Sequence, residues 1–499
     1  MNADAEFDLL IVGGGVNGVG IARDAAGRGL RVLLCEQHDL ASHTSSSSTK
    51  LIHGGLRYLE HYDFMLVRKA LMEREVLLDA APHIMWPLRF VLPHEPHLRP
   101  AWVIRAGMFL YDHLARRRRL PASEVVDLRQ HPAGAPLQGE YRLGFVYSDG
   151  WVDDARLVAL NALDARERGA TVLTRTQCVR ARRERGGWSA TLLAAGGGQR
   201  VVRSRSIVNA AGPWVDRFLD QATPVRSQRA VRLVKGSHIV VPRLFDHAFA
   251  YIFQNVDRRI IFAIPYERDY TLIGTTDVDY QGDPARVAID ANEVGYLCNV
   301  ASRYFTRTIV PSDVVYRYSG VRPLLEDESS DPSSVTRDYT FELNRDGAPL
   351  LSVLGGKITT YRRLAEDALH KLLPALGVSV APWTHGVPLP GGDMPNADFE
   401  AFRATLTGRY PLLPAALLDR WARAYGTRID RLLGRATATV QLGEEVLPGL
   451  HAAEIDYLRR EEWATTAEDI LWRRSKLGLH LGAAAPGLLD EWLAANPAT

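Results

Sequence analysis

At 499 residues the chain is long enough for two or three domains of ~150 residues and a large core. Hydrophobic residues make up 46% and charged residues 24%, a globular composition, and a formal net charge of +2 provides no broad positive field of the kind a nucleic-acid binder needs. Three cysteines without CxxC spacing (Cys35, Cys178 and Cys298) argue against a disulfide framework, a zinc set and a cysteine-ligated iron–sulfur cluster, and fit a reducing, cytosolic compartment.

The acidic start MNADAEFD leads straight into a strand, so neither a secretory signal nor a transit peptide is expected. FDLLIVGGGVNGVGIARDAAGRGLRVLLCE, from Phe7 to Glu36, reads as strand, glycine turn, helix and second strand. In its GxGxxG, Gly13 permits the tight turn, Gly15 lets the backbone approach a pyrophosphate, and Gly18 allows close helix–strand packing. Asn17, inside the same turn, joins the candidate cofactor set. The helix N-terminus offers free N–H groups and positive dipole to phosphate. Glu36 ends the second strand near the ~20-residue spacing expected of an acid that holds a ribose hydroxyl. The loop alone does not separate FAD from NAD, because both carry the ADP moiety.

TSSSSTKLIHGGLRY, from Thr44 to Tyr58, follows. Four serines in a row read as a spacer by composition, yet the run enters a His-Gly-Gly-Leu-Arg-Tyr cluster. ALMEREVLL is helix-like, and RPAWVIRAGMFLYDHLARRRRLP, from Arg99 to Pro121, joins an apolar face to a run of four arginines. Two readings of that segment stand side by side: a helix lying in an anionic bilayer interface, or a core helix with a solvated basic end. No window has the ~18 uncharged apolar residues needed to cross a bilayer, so any membrane contact is peripheral. Further on come YSDGWVDDARLV, a helix-patterned DDARLVALNALDARERGA, several short β-like runs around a hairpin turn at Gly196–Gly198, and NAAGPWV. Residues 231–280 are rich in β-branched and aromatic side chains and contain VKGSHIVVP and LIGTTDVDYQGDP. YSGVRPL and LLSVLGGKITTYRRLAE follow; then APWTHGVPLPGGDMPNADF, from Ala381, reads as a linker into a helix-patterned end.

Together these motifs resemble the FAD-dependent glycerol-3-phosphate dehydrogenases, the aerobic, quinone-linked respiratory type. The likeness runs from residue 7 to at least 390, and TTAEDILWRRSKLGL is similar to the helical tail domain of that family. It implies an α/β fold with an α+β cap: a glutathione-reductase-type FAD-binding Rossmann domain of the D-amino-acid-oxidase kind, an antiparallel-sheet substrate cap and a C-terminal helical domain. Residues 1–85, 148–230 and 315–385 are expected to form the FAD domain, 86–147 and 231–314 the cap, and 386–499 the helical domain. The implied reaction oxidises sn-glycerol 3-phosphate to dihydroxyacetone phosphate by hydride transfer from C2 to flavin N5. Electrons pass to a membrane quinone, at the inner face of the cytoplasmic membrane. The oligomeric state stays open, with a homodimer as the candidate assembly.

Under this reading the serines line the flavin, since small hydroxyls offer donors without bulk. The expected cofactor wall comprises Gly13, Gly15, Asn17, Gly18, Glu36, Thr44, Ser45, Ser46, Ser48, Thr49, Lys50, Leu51, Gly54, Gly55, Ala210, Gly212, Gly355, Gly356, Lys357 and Thr359. GGKIT at a helix start would stabilise charge gathering on reduced flavin. Arg57 and Arg322 follow glycines in loops and are the expected phosphate forks. Tyr58, Thr275 and Thr276 are candidates for the substrate hydroxyls. His238 and His53 are the candidate bases, with Lys357 and Arg322 assisting. Two other readings remain: an oxidase passing electrons to O2, and a flavin-binding, membrane-associated redox sensor without turnover.

Overall fold

In the strand Phe7–Val12 every residue is buried, because the sheet it centres is covered on both faces. Leu9 and Ile11 face one apolar cluster with the helices Val16–Gly27, Asp154–Glu167 and Tyr361–Leu372. Leu10 and Val12 face another with Trp188, Leu192 and Phe218. This alternation is the period of two expected of a strand packed on both sides. The structure, a computed structural model, describes residues 6–227, 229, 231–257, 259–275, 277–325 and 338–497, excepting the side chains of Arg57 and His61.

The first sheet has eight strands, with the order Thr340–Asn344, Leu350–Leu354, Gln199–Asn209, Phe7–Val12, Val32–Cys35, Thr171–Leu173 along its main path. The five strands from Leu350–Leu354 onward are parallel. An antiparallel extension, Thr176–Glu184 with Gly187–Ala194, hangs from Gln199–Asn209. The second sheet has ten strands and is almost wholly antiparallel. Its helix Ala291–Tyr304 buries Val294 and Leu297 against Ile239, Val241 and Tyr251. The C-terminal helices close around their own core, which includes Trp421, Tyr425, Leu458 and Ile470.

Strand pairing moves elements across the expected boundaries. Tyr316–Leu325 pairs along ten residues with Val231–Pro242, so it belongs to the second sheet rather than to a segment beginning at 315. Leu51–Ile52 pairs with Trp151 and Gly150 in that same sheet, and Leu143–Val152 runs through the boundary expected at 147. The stretch from Ala381, expected as a linker, is fixed in place. Trp383 Nε1 donates to Asp24 O at 3.0 Å, Leu389 N–H donates to Ala80 O at 2.8 Å, and Thr384 is 2% exposed. Its Pro/Gly composition excludes regular structure but not packing.

Candidate functional site

A cavity of about 770 Å³ opens between the two sheets, with Gly13, Gly15, Asn17 and Glu36 on one wall and Gly236, Thr275 and Arg322 on the other. That volume falls within the few-hundred to ~1,000 Å³ of sites for drug-sized ligands and cofactors. At the glycine turn, Gly13 has φ +111°, and a Cβ there would lie 2.4 Å from Ala210 O. Gly18 does not line the cavity; a Cβ on it would lie 1.9 Å from Gly13 O, so its role is the close packing of helix on turn. The helix N-terminus is met by Ser45, whose Oγ accepts the Val16 N–H at 3.0 Å. Glu36 accepts the N–H groups of Gly14 and His38 at 2.7 and 2.8 Å. Burial raises its pKa and those N–H groups oppose the rise.

The serine stretch is wall, not spacer. Thr44–Ser46 makes one 3-10 turn, and Thr44 Oγ1 donates to Val321 O at 2.7 Å across to the second sheet. Thr44, Ser45, Ser47, Ser48, Thr49 and Leu51 line the cavity. Lys50, expected beside them, points away: Nζ lies 2.7 Å from Asp154 Oδ1, and the side chains are 2% and 0% exposed. Ser46 turns back, its Oγ donating to His43 O at 3.2 Å. Gly54 and Gly55 also lie behind the wall; the Gly54 N–H donates to Tyr111 Oη at 2.9 Å, and Gly55 precedes the turn Leu56–His61. Ala210, Gly212, Gly355 and Gly356 do line it, and Asn17 Nδ2 donates to Gly355 O at 3.2 Å, tying the turn after Phe7–Val12 to the turn after Leu350–Leu354.

At the remaining end, strand register does the positioning. Arg322, Gly320 and Tyr318 pair with Val234, Gly236 and His238, so alternation puts these side chains on one face. Arg322 is ion-paired with Asp277 through Nη1, and Nη2 donates to Thr275 Oγ1 at 3.0 Å. Lys357 Nζ sits 3.7 Å from the centre of the Tyr58 ring. His53 lines the cavity with Thr359, whose Oγ1 accepts the His53 N–H at 3.2 Å. The Arg57 side chain and Thr276 lie outside the described residues. His238 is placed differently from His53: it is 1% exposed and stands behind the wall. Its Nε2 shares a 3.0 Å hydrogen bond with Thr49 Oγ1 and its ring stacks on Tyr318 at 4.8 Å. Burial, with the charges of Arg322 and Lys50, pushes its pKa well down.

Several lining residues escaped the sequence reading. His43 lies edge-on to Trp214 at 4.7 Å and shares a 2.9 Å hydrogen bond with His38. Burial, then His38 and Arg473, push His43 down to about 4. Trp214 sits inside NAAGPWV, so its motif was visible; the histidines come from the loop after Glu36, which carries no recognisable spacing.

A separate surface feature concerns the helix Ala101–His113. Only Met108, Tyr111 and Asp112 of it are buried. Trp102 is 74% exposed and Phe109 58%. The arginines that follow fold back on acids: Arg117 on Asp112, Arg118 and Arg119 on Asp79. Among the described residues no helix is long and apolar enough to cross a membrane.

Residues 8–362 match the FAD dependent oxidoreductase family, and residues 382–494 match the C-terminal domain of alpha-glycerophosphate oxidase. The chain is 56% identical to a glycerol-3-phosphate dehydrogenase of Pseudomonas aeruginosa, over 98% of this chain and 95% of that protein. It is 53% identical to a D-erythritol 1-phosphate dehydrogenase of Brucella abortus, over 97% of each. Among solved structures, the glycerol-3-phosphate dehydrogenase of Bacillus halodurans complexed with FAD superposes with a TM-score of 0.80 at 27% identity, covering 99% of this chain and 91% of that one.

Proposed function

From the premise that the chain belongs to the FAD-dependent oxidoreductase family and takes FAD as its cofactor, we propose that it oxidises sn-glycerol 3-phosphate to dihydroxyacetone phosphate. The observation that carries this reading is Arg322, a guanidinium on the cavity wall held in a fixed pose by Asp277 and Thr275. Such a fork suits a phosphate, and each charged hydrogen bond contributes ~1.5–3 kcal/mol.

The residues present fit FAD. The Gly13–Gly18 turn leaves no room for a side chain where a pyrophosphate would approach, and Glu36 stands at the end of the second strand on the same cavity. Bound FAD supplies the hydride acceptor. The protein orients substrate and moves the proton. Arg322 anchors the phosphate, and Lys357, held over Tyr58, adds a second cation to the same cavity. The Thr49 hydroxyl links His238 to the cavity, while burial, with the charges of Arg322 and Lys50, makes that imidazole a weaker base than a solvated one. His53 stands on the wall itself and offers the direct alternative. We place the electron acceptor, a membrane quinone, at a bilayer surface on the cytoplasmic side. The exposed Trp102 and Phe109 of the helix Ala101–His113 support that placement, as apolar side chains presented to solvent on one helix.

Anaerobic addition of sn-glycerol 3-phosphate to the FAD-loaded enzyme should bleach the flavin absorbance near-stoichiometrically, and dihydroxyacetone phosphate should reverse it. An unbleached spectrum rejects the proposal. A second reading, a longer polyol phosphate as substrate, is favoured by the 53% identity to a D-erythritol 1-phosphate dehydrogenase. Comparing kcat/KM for the two phosphates decides between them. Oxygen uptake against quinone-analogue reduction separates a dehydrogenase from an oxidase.

A further inference from the structure

A second cavity, about 690 Å³, lies where the second sheet meets the C-terminal helices. No residue of its lining also lines the first cavity. One wall is aromatic: Trp86 and Trp151 have centroids 5.6 Å apart, and Trp151 and Tyr266 5.8 Å. Around this space stand buried polar groups that the protein leaves unmatched. His83 is 0% exposed, yet neither of its ring nitrogens has a hydrogen-bond partner. Trp151 is 4% exposed and its Nε1–H is likewise unpartnered. From the opposite wall Arg423 brings a buried Nη1 without an acceptor, its guanidinium lying 4.5 Å over Trp86. Upwards of ~90% of buried polar groups in folded proteins are paired, and each unpaired one costs ~1–3 kcal/mol. Unmatched nitrogens on three residues of one cavity therefore point to a ligand.

The charges say what kind. Three other cations of the lining are already committed: Arg420 to Glu454 at 2.6 Å, Arg474 to Asp39 at 2.9 Å, Lys50 to Asp154 at 2.7 Å. Arg403 lies 2.7 Å from Glu400, and Lys476 lies 3.4 Å from Asp153. Arg423 alone among these arginines has its pKa lowered by burial, to about 10, with Glu400 no nearer than 3.5 Å. Arg268, the remaining arginine of the lining, is 70% exposed and lies 3.9 Å from Asp419, so Arg423 supplies the buried cationic edge; that edge accepts one negative charge, and the carboxylates of Glu267, Asp269 and Asp419 on the same lining repel a polyanion. We infer that this junction binds a planar aromatic monoanion, an arenecarboxylate, with its ring on the Trp86–Trp151–Tyr266 wall and its carboxylate on Arg423 Nη1. Trp151 Nε1–H provides a further donor beside that wall. The site adjoins the flavin cavity through one short stretch of chain: Thr49 and Leu51 line the first cavity, and Lys50 between them lines the second.

Isothermal titration of the full-length, FAD-saturated enzyme with 1-naphthoate tests the assignment. One saturable site is expected, with affinity lowered at least about tenfold in Arg423→Ala and in Trp86→Leu, and nearly kept in Arg423→Lys. Acetate, which lacks the ring, and 1-naphthalenemethanol, which lacks the charge, should each bind at least about tenfold more weakly. Saturating sn-glycerol 3-phosphate and the Arg322→Ala exchange should leave naphthoate binding unchanged. Absence of saturable heat overturns the proposal, as does displacement by glycerol 3-phosphate or loss in Arg322→Ala, which would put the carboxylate on the substrate arginine. Unchanged affinity in a folded, FAD-containing Trp86→Leu enzyme overturns it too, so the test survives if Arg423→Ala fails to fold.

Discussion

Arg322 and Lys50 are both cations paired to a single acid, and they serve opposite ends. Arg322 is on the cavity wall, its side chain 27% exposed, with Nη1 on Asp277 and Nη2 on Thr275. Its partners Asp277 and Thr275 fix the guanidinium before substrate arrives, which removes ordering entropy from binding. Arg322→Ala should lower kcat/KM by about 10- to 150-fold, the equivalent of one charged hydrogen bond, while FAD content stays normal. Steady-state kinetics beside the flavin-to-protein absorbance ratio checks both halves. Lys50 is sealed between sheet and helix with Asp154, at 2% and 0% exposure. Lys50→Met keeps the length and removes the charge, leaving the buried Asp154 carboxylate without its cation and with the Ser48 N–H and hydroxyl among its remaining donors. It should cost ~3–5 kcal/mol, read as a lower urea midpoint with an unchanged slope. Thr49 and Lys50 stand side by side in TSSSSTKLIH, but only the pairing with Trp151 and Asp154 tells which of them meets the cofactor cavity.

Elements differ in how far their sequences reveal them. The glycine turn was legible because its demands are local: φ at Gly13 and the contact of Gly18 with Gly13 O both arise within six residues. GGKIT was legible for the same reason, following a buried strand and opening a helix. Tyr316–Leu325 was not, because its place depends on pairing with Val231–Pro242, some eighty residues earlier in the chain. His238 shares the Arg322 face of the paired strands, but its ring packs on Tyr318 and behind Thr49, out of the cavity. The helix Ala101–His113 was ambiguous between core and surface, since an apolar stripe does not say what it faces. Its burial decides: Trp102 and Phe109 point outward. Exchanging both for serine should reduce co-sedimentation with anionic phospholipid vesicles several-fold while flavin reduction by substrate in solution is unchanged. Because Arg118 and Arg119 are held by Asp79, raising salt should weaken vesicle binding much less than the double exchange does.

At the scale of the whole molecule, the C-terminal helices are joined to the cofactor strand by buried charge. Asp39, three residues past Glu36, accepts from both Arg473 and Arg474, and Arg156 is paired with Glu462 at near-zero exposure. None of these pairs spans less than about 300 residues, so no local motif announces them. His83 lies at the same junction, against Gly391 and Gly426. Burial pushes its pKa down to about 3, with Arg156 and Arg423 adding to the effect. The sign follows from linkage. An unfolded histidine takes up its proton near pH 6.5, whereas the folded one refuses it until about pH 3, so the unfolded state binds more protons throughout that window and stability falls as pH drops through it. Between pH 7 and 5 the folded His83 stays neutral while its unfolded counterpart charges, a loss of roughly 2 kcal/mol from this residue. Below the ordinary carboxylate range Asp469 extends the loss. Burial tends to raise its pKa, but the Thr465 N–H and the charges of Arg175, Arg473 and Arg474 hold it low, so its contribution is present above pH ~4 and disappears as it protonates. His83→Leu removes the first of these terms at nearly constant volume. Urea unfolding of the variant should therefore show a drop between pH 7 and 5 smaller than wild type by about 2 kcal/mol. Equal slopes in the two proteins would mean that His83 takes its proton inside the folded junction, and that the junction opens to water well above pH 5.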